Sequence, residues 1–190
     1  MTQADKQTQL SEALDIYQAG LAMDGDKRAF DLLYRRWHPK LLKLAYRLMG
    51  NPDEARDVMQ DAALVIARDI HKLRDPARFS AWAYTILRRR AADYIDRAVR
   101  NRKAQESKAA TDQGPAAAGH DTEAAMTLRQ ALSQLPEADR LMLTLFYVDG
   151  LKGTEMAAAL GVPIGTVKSR LFKARAKLKN IYETTEGDRT

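Results

Sequence analysis

The run LGVPIGTVKSRLFKARAKL, from Leu160 to Leu178, constrains the fold of this chain more than any other segment. Gly161 takes a positive φ without a Cβ clash, which suits a sharp turn between two crossed helices. Pro163 presets φ for a first helical turn and sacrifices no needed donor. Beyond it, Val167, Leu171, Ala174 and Leu178 recur at helical spacing and form one narrow apolar stripe. The other faces carry Lys168, Arg170, Lys173, Arg175, Lys177 and Lys179, with no acidic residue between Ile164 and Asn180. A short helix, a glycine turn and a basic second helix are what major-groove docking requires. A merely solvated basic face would leave unexplained both the turn and the small Ala157 four residues before Gly161. On such a helix Lys168, Arg170 and Arg175 can reach phosphates. Ser169, Phe172 and Lys173 lie one face round, toward base edges and thymine methyls.

The charge distribution agrees with a polyanionic partner. The 190-residue chain has a net charge of +6. Ile86 to Lys103 holds seven basic residues against Asp93 and Asp96, a local +5, and Ile164 to Asn180 adds +6. The remainder is therefore about −5, so the basicity sits in two places, as an electrostatic footprint would. The absence of cysteine excludes disulfides and thiolate metal sites, and His38, His71 and His120 show no ligand spacing. No metal or cofactor is expected. The start MTQADKQTQL lacks the basic opening and apolar run of a secretory signal, and no stretch approaches 18 uninterrupted apolar residues. A cytoplasmic protein without membrane insertion is expected.

Ala104 to Thr122 contains no Val, Ile, Leu, Met or aromatic residue and so has nothing to bury. It reads as a flexible linker, with a coil span of roughly 24 Å, between helical domains at 1–103 and 123–190. Two small all-α domains follow, the second containing a helix-turn-helix. In the first, Asp26 caps a helix carrying Phe30, Leu33, Tyr34 and Trp37 on one face, and Pro39 interrupts it before Leu41 to Met49. Gly50 is a C-terminal stop. Asn51-Pro52-Asp53-Glu54 and Asp75-Pro76 open two more helices, and a weaker one covers Leu10 to Leu21. In the second, Thr122 caps a helix with Leu128, Leu132 and Leu135; Pro136 starts another with Leu141, Leu145 and Val148, ending at Asp149-Gly150. Thr154 to Leu160 and the basic helix complete it.

Two further surfaces carry chemistry. Arg88, Arg89 and Arg90, followed by Arg97, Arg100, Arg102 and Lys103, lie after the aromatic residues Phe79 and Trp82. Aromatic rings beside arginines can hold unstacked bases and a single-strand backbone, although core packing is the simpler role for Trp82. The helix from Pro52 to Ile70 gathers Asp53, Glu54, Asp57 and Asp61 on one side and Val58, Met59, Ala62 and Ile66 on another. That acidic face suits either a basic protein surface or solvent. No P-loop, zinc motif or nucleophile elbow is present, which argues against an enzyme.

The residues Ala29-Phe30, Leu33-Tyr34, GNPDEARDVMQDA from Gly50, Phe79 with Trp82, Leu135-Pro136, Asp149 to Leu151 and GVPIGTVKSRLFKARAKL together resemble the extracytoplasmic-function sigma factors of the bacterial sigma-70 family. The resemblance implies a monomer, when free, that binds core RNA polymerase and directs promoter recognition, melting and initiation in response to a stress or envelope signal. It implies a helix from Asp53 to Ala63 on the polymerase clamp helices, through Asp53, Glu54, Asp57, Val58, Gln60 and Asp61, and a second contact at the flap. It places Phe79, Arg88, Arg89, Arg90 and Arg97 on the minus-ten element, and Thr166 to Arg175 in the major groove of the minus-thirty-five element. The linker threads the active-site cleft, and an anti-sigma protein holds the factor inactive. This chain departs from the family pattern with Arg89 in place of Asn, Ala83 in place of Leu, and Lys152-Gly153 in place of a Ser-aromatic pair, which removes a favoured helix cap. The competing reading is a stand-alone helix-turn-helix regulator that binds an operator as a dimer.

Overall fold

The computed structural model describes residues 3–104 and 123–187, and every regular element among them is helical. The chain divides into two units, Met1–Ala110 and Thr111–Thr190. The expected linker beyond Ala104, and the expected cap Thr122, lie outside the described residues.

The first unit holds α1 (Gln3–Met23), α2 (Lys27–Met49), α3 (Pro52–Asp69) and α4 (Phe79–Ala104). Local chemistry sets its helix ends. The Asp26 carboxylate accepts from the backbone N–H groups of Arg28 (2.8 Å) and Ala29 (3.0 Å), and Asn51 accepts from Asp53 (2.9 Å) and Glu54 (3.3 Å). Gly50 closes α2 at φ 70°, a left-handed geometry that spares it the Cβ clash. Asp75 caps the short 3-10 turn Pro76–Arg78 that leads into α4.

Pro39 does not interrupt α2, contrary to the sequence expectation: the helix runs through it, with Trp37 and Leu41 buried on either side. A proline in a helix interior costs about 3 kcal/mol. The packing of α2 against α1, α3 and α4 outweighs that cost. Leu33, Leu41 and Leu44 of α2, Val58 and Ile66 of α3 and Tyr84 and Leu87 of α4 are all fully buried where these three helices pack together. Fully buried Ala45, Ala55, Ala62 and Ala83 are the small residues that let helix backbones approach. The N-terminal helix exceeds its expected length and is tied to α2 by Arg36, which donates to Asp15 (2.8 Å) and to the Ser11 hydroxyl (2.9 Å).

The second unit holds α5 (Glu123–Gln134), α6 (Glu137–Leu143), α7 (Gly153–Leu160) and α8 (Ile164–Gly187). Between α6 and α7 the chain makes a π turn, Thr144–Val148. An α-helical spacing would have buried Val148 beside Leu145; the π turn inserts a residue and leaves Val148 exposed. On α5 the buried residue is Ala131, with Leu135 buried just past the helix end and Leu128 42% exposed. Gly161 closes α7 at φ 69°, as its turn position demands. Met156 and Ala159 of α7 and Val167, Leu171 and Ala174 of α8 are buried, whereas Ala157 is only half-buried.

The helix cap expected to be missing at Lys152-Gly153 is supplied differently. The Glu155 carboxylate, itself buried, accepts from the Lys152 backbone N–H at 2.8 Å. Replacing Glu155 with Ala should destabilise the second unit by about 1 kcal/mol, read as a lowered thermal transition of the full chain. Glu155→Gln, which keeps an acceptor, should recover most of that loss.

Candidate nucleic-acid and protein interfaces

On α8 the buried residues Val167, Leu171 and Ala174 define the inward face. At 100° per residue, Ser169, Phe172 and Lys173 then point straight outward, with Lys168 and Arg175 on one flank and Thr166 and Arg170 on the other. All are exposed except the half-buried Thr166, and Phe172 is 72% exposed, an unusual position for a phenylalanine without a partner. The Ser169 hydroxyl donates back to the Thr166 carbonyl at 3.1 Å. The cations sort into two groups. Lys177 pairs with Asp139 of α6, and Lys179 with Glu183. Lys168, Arg170, Lys173 and Arg175 have no carboxylate partner among the described residues and remain available for phosphate.

The expected minus-ten cluster is split by the fold. Phe79 is buried against Trp37, ring centroids 5.8 Å apart, so it belongs to the core and cannot receive a base. Arg88, Arg89 and Arg90 are consecutive on a helix and therefore point in three directions. Arg90 turns to Asp93 at 3.4 Å, and Arg97 reaches across to Asp61 of α3 at 3.7 Å. Arg88 is half-buried, with its Nε unpaired. Only Arg89 shares a helical face with Thr85 and Trp82.

A different set of residues assembles there. Trp82 is half-exposed and lines a groove of about 490 Å³ with Lys72, Arg74, Arg78 and Thr85. Arg78 pairs loosely with Asp75 at 3.4 Å, and both are exposed enough for that pair to contribute little. Asp69 fixes Lys72: hydrogen bonds from Arg68 and Lys72 hold its carboxyl well below the usual carboxylate range. Lys72, Arg74 and Arg78 escaped the sequence reading because they sit on the connection before α4 rather than on a patterned helix. The signal was there in HKLRDPARF, four cations in nine residues bounded by a cap and a proline, counting His71.

On α3, Asp53, Asp57, Gln60 and Asp61 share one exposed face, with Glu54 at its half-buried edge. Val58 is a correction: it is 1% exposed and packs in the core, because it lies beyond that face at the helix's 100° step. Leu64, 65% exposed, completes the acidic face two turns after Asp57. An apolar side chain on the polar side of an amphipathic helix was the missed signal. Alongside runs a groove of about 560 Å³ between α2 and α3, lined by Phe30, Tyr34, His38, Leu42, Met59 and Gln60, among others. Phe30, Tyr34 and His38 form a continuous ring row at 6.1 and 5.4 Å. Burial, and with it the carboxylates of Glu54 and Asp57, pushes the Tyr94 phenol above its ordinary value.

Two helical units, one closing on a glycine-turned helix pair whose Lys168, Arg170, Lys173 and Arg175 have no carboxylate partner among the described residues, define a protein of the helix-turn-helix class. Comparison with known proteins narrows the class. The Sigma-70 region 2 family matches residues 33–101, and the Sigma-70, region 4 family matches residues 125–178. RNA polymerase sigma-H factor of Pseudomonas aeruginosa is 33% identical over 165 residues, covering 80% of this chain and 84% of the relative. The sigma factor SigM of Mycobacterium tuberculosis is 34% identical over 158 residues, covering 83% and 79%. Among solved structures, CnrH in complex with the cytosolic domain of CnrY aligns at TM-score 0.58 and 26% identity over 90% of this chain and 98% of that one. The sigma factor RpoE of Bartonella quintana, solved with the anti-sigma factor NepR, aligns at 0.56 and 26% over 81% and 96%. The chain belongs to the extracytoplasmic-function sigma factors of the sigma-70 family. Sigma factors are generally not enzymes. Among the described residues no helix is long and apolar enough to cross a membrane.

Proposed function

We propose that this chain binds core RNA polymerase through the acidic ridge and apolar groove of α3 and α2, and directs it to promoters with two separate DNA grips. The residues 1–103 serve the polymerase and the minus-ten element, 104–122 the link, and 123–190 the minus-thirty-five element. One observation carries the reading: the first unit bears surfaces of opposite character. The carboxylates of Asp53, Asp57 and Asp61 repel DNA and, with Gln60 and Leu64, suit a basic protein face, while Lys72, Arg74, Arg78, Trp82 and Arg89 suit a melted strand. A stand-alone operator binder has no use for that pairing. In the second unit, Ser169, Phe172 and Lys173 read base edges while Lys168, Arg170, Arg175 and Thr166 hold the backbone. The factor acts in the cytoplasm and catalyses nothing itself, since RNA synthesis is the polymerase's chemistry. An anti-sigma partner belongs to the same reading, supported by the likeness to a sigma factor solved with one.

Run-off transcription with purified core polymerase, with and without the chain, is the test. Promoter-specific starts should appear only in its presence. Their absence, or tight operator binding by the chain alone as a dimer, would favour the stand-alone regulator. Within the assay, Asp57→Ala combined with Asp61→Ala should weaken association with core polymerase by about tenfold, at an unchanged melting temperature. Normal association would remove the ridge from the interface.

A further inference from the structure

The π turn Thr144–Val148 does more than connect α6 to α7. Its extra residue is documented by two long-step hydrogen bonds: the Asp149 N–H donates to the Thr144 carbonyl, and the Leu151 N–H to the Leu145 carbonyl, both at 2.9 Å. Such turns bring neighbouring side chains into positions that an α-helix forbids. Here Phe146 and Tyr147 stand edge to face, centroids 4.9 Å apart and planes at 84°. The Arg175 guanidinium lies against both rings, 5.1 Å from Phe146 and 5.3 Å from Tyr147.

This arrangement is not explained by core packing. Tyr147 is 63% exposed, and Phe146 beside it is only half-buried. Arg175 has no carboxylate partner among the described residues, so its charge is held by aromatic faces that leave its outward N–H groups free. The neighbouring basic residue Lys177 is instead neutralised by Asp139. A carboxylate partner would compete with phosphate for the guanidinium; a ring does not.

We propose that Phe146 and Tyr147 are positioning residues for DNA recognition: they form an aromatic clamp that holds Arg175 extended on the flank of α8 for a backbone phosphate. The proposal rests on the reading of α8 as the helix that docks in the major groove. A free arginine must be immobilised when it binds; the clamp has already ordered it, so more of the contact energy appears as affinity.

The test measures holoenzyme binding to a promoter fragment carrying the minus-thirty-five element, across a range of salt concentrations. Arg175→Ala should lower the salt slope by about 0.9, the value of one phosphate contact. Tyr147→Leu should weaken binding by about three- to tenfold, and Tyr147→Phe, which keeps the ring, should restore it. In an Arg175→Ala background, Tyr147→Leu should change binding by less than about twofold. Equal losses in both backgrounds, or unchanged binding by Tyr147→Leu, would overturn the clamp. Arg170→Ala separates the two levels of the argument. If it leaves the slope unchanged as well, the placement of α8 on DNA fails; if it lowers the slope while Arg175→Ala does not, the clamp alone fails.

Discussion

Replacing Trp37 with alanine is expected to destabilise the first helical unit by about 3–5 kcal/mol. The indole is 5% exposed and sits edge-on between Phe79 at 5.8 Å and Tyr84 at 5.9 Å, joining α2 to the start of α4. Truncation leaves a cavity that three helices cannot close without moving, which is why the cost exceeds simple transfer. Lys40 also rests over the ring, 4.2 Å from its centroid, and loses that contact. Trp37→Phe should cost much less, because the aromatic contacts survive and the buried indole N–H, which lacks a hydrogen-bond partner, is removed. Chemical denaturation of the full chain, followed by tryptophan-independent circular dichroism, reads both. An alanine variant as stable as the parent would place Trp37 outside the core.

The second large effect is functional. Trp82→Ala should reduce open-complex formation by holoenzyme about 5- to 150-fold, since a base stacked on an aromatic ring contributes about 1–3 kcal/mol. Trp82 lies 6.1 Å from Phe79 but, unlike it, keeps part of its ring in the groove with Lys72, Arg74 and Arg78. Truncation therefore also costs some stability, and Trp82→Phe serves as the control: it keeps a stacking face and should retain most of the melting activity. Binding to double-stranded minus-thirty-five DNA should be unaffected by either change. If Trp82→Ala melts promoters as well as the parent, the groove does not hold a base. A matching loss for Phe79→Leu would show only that the core had failed, since Phe79 never reaches the groove.

The two aromatic residues show where sequence reading reached its limit. Phe79 and Trp82 are three apart on one helix, and helical periodicity placed both near the arginines. Which one is buried depends on what α1, α2 and the 3-10 turns present at that end of α4, and no local pattern contains that information. The arginines divide differently: the 100° step of a helix already separates Arg88, Arg89 and Arg90, whereas the pairing of Arg97 with Asp61 follows from α3 packing along α4. Pro39 is the converse case. Its local preference was to break α2, and the contacts of α2 with its three neighbouring helices overrode it.

By itself the sequence determined the helical character of both units, the caps at Asp26, Asn51 and Asp75, the glycine stops at Gly50 and Gly161, and the outward basic face of α8. These are settled within a few residues along the chain, by hydrogen bonds to free N–H groups, by backbone steric freedom and by a 3.6-residue period. Only the tertiary structure decided that Phe79 is core while Trp82 keeps part of its ring exposed, and that Lys72, Arg74 and Arg78 gather around Trp82. It also decided that Glu155 replaces a missing cap and that a π turn delivers Phe146 and Tyr147 to Arg175. The physical reason is common to all of these. Burial and side-chain direction are set by neighbours distant in sequence, and a register shift of one residue is enough to exchange an inward side chain for an outward one.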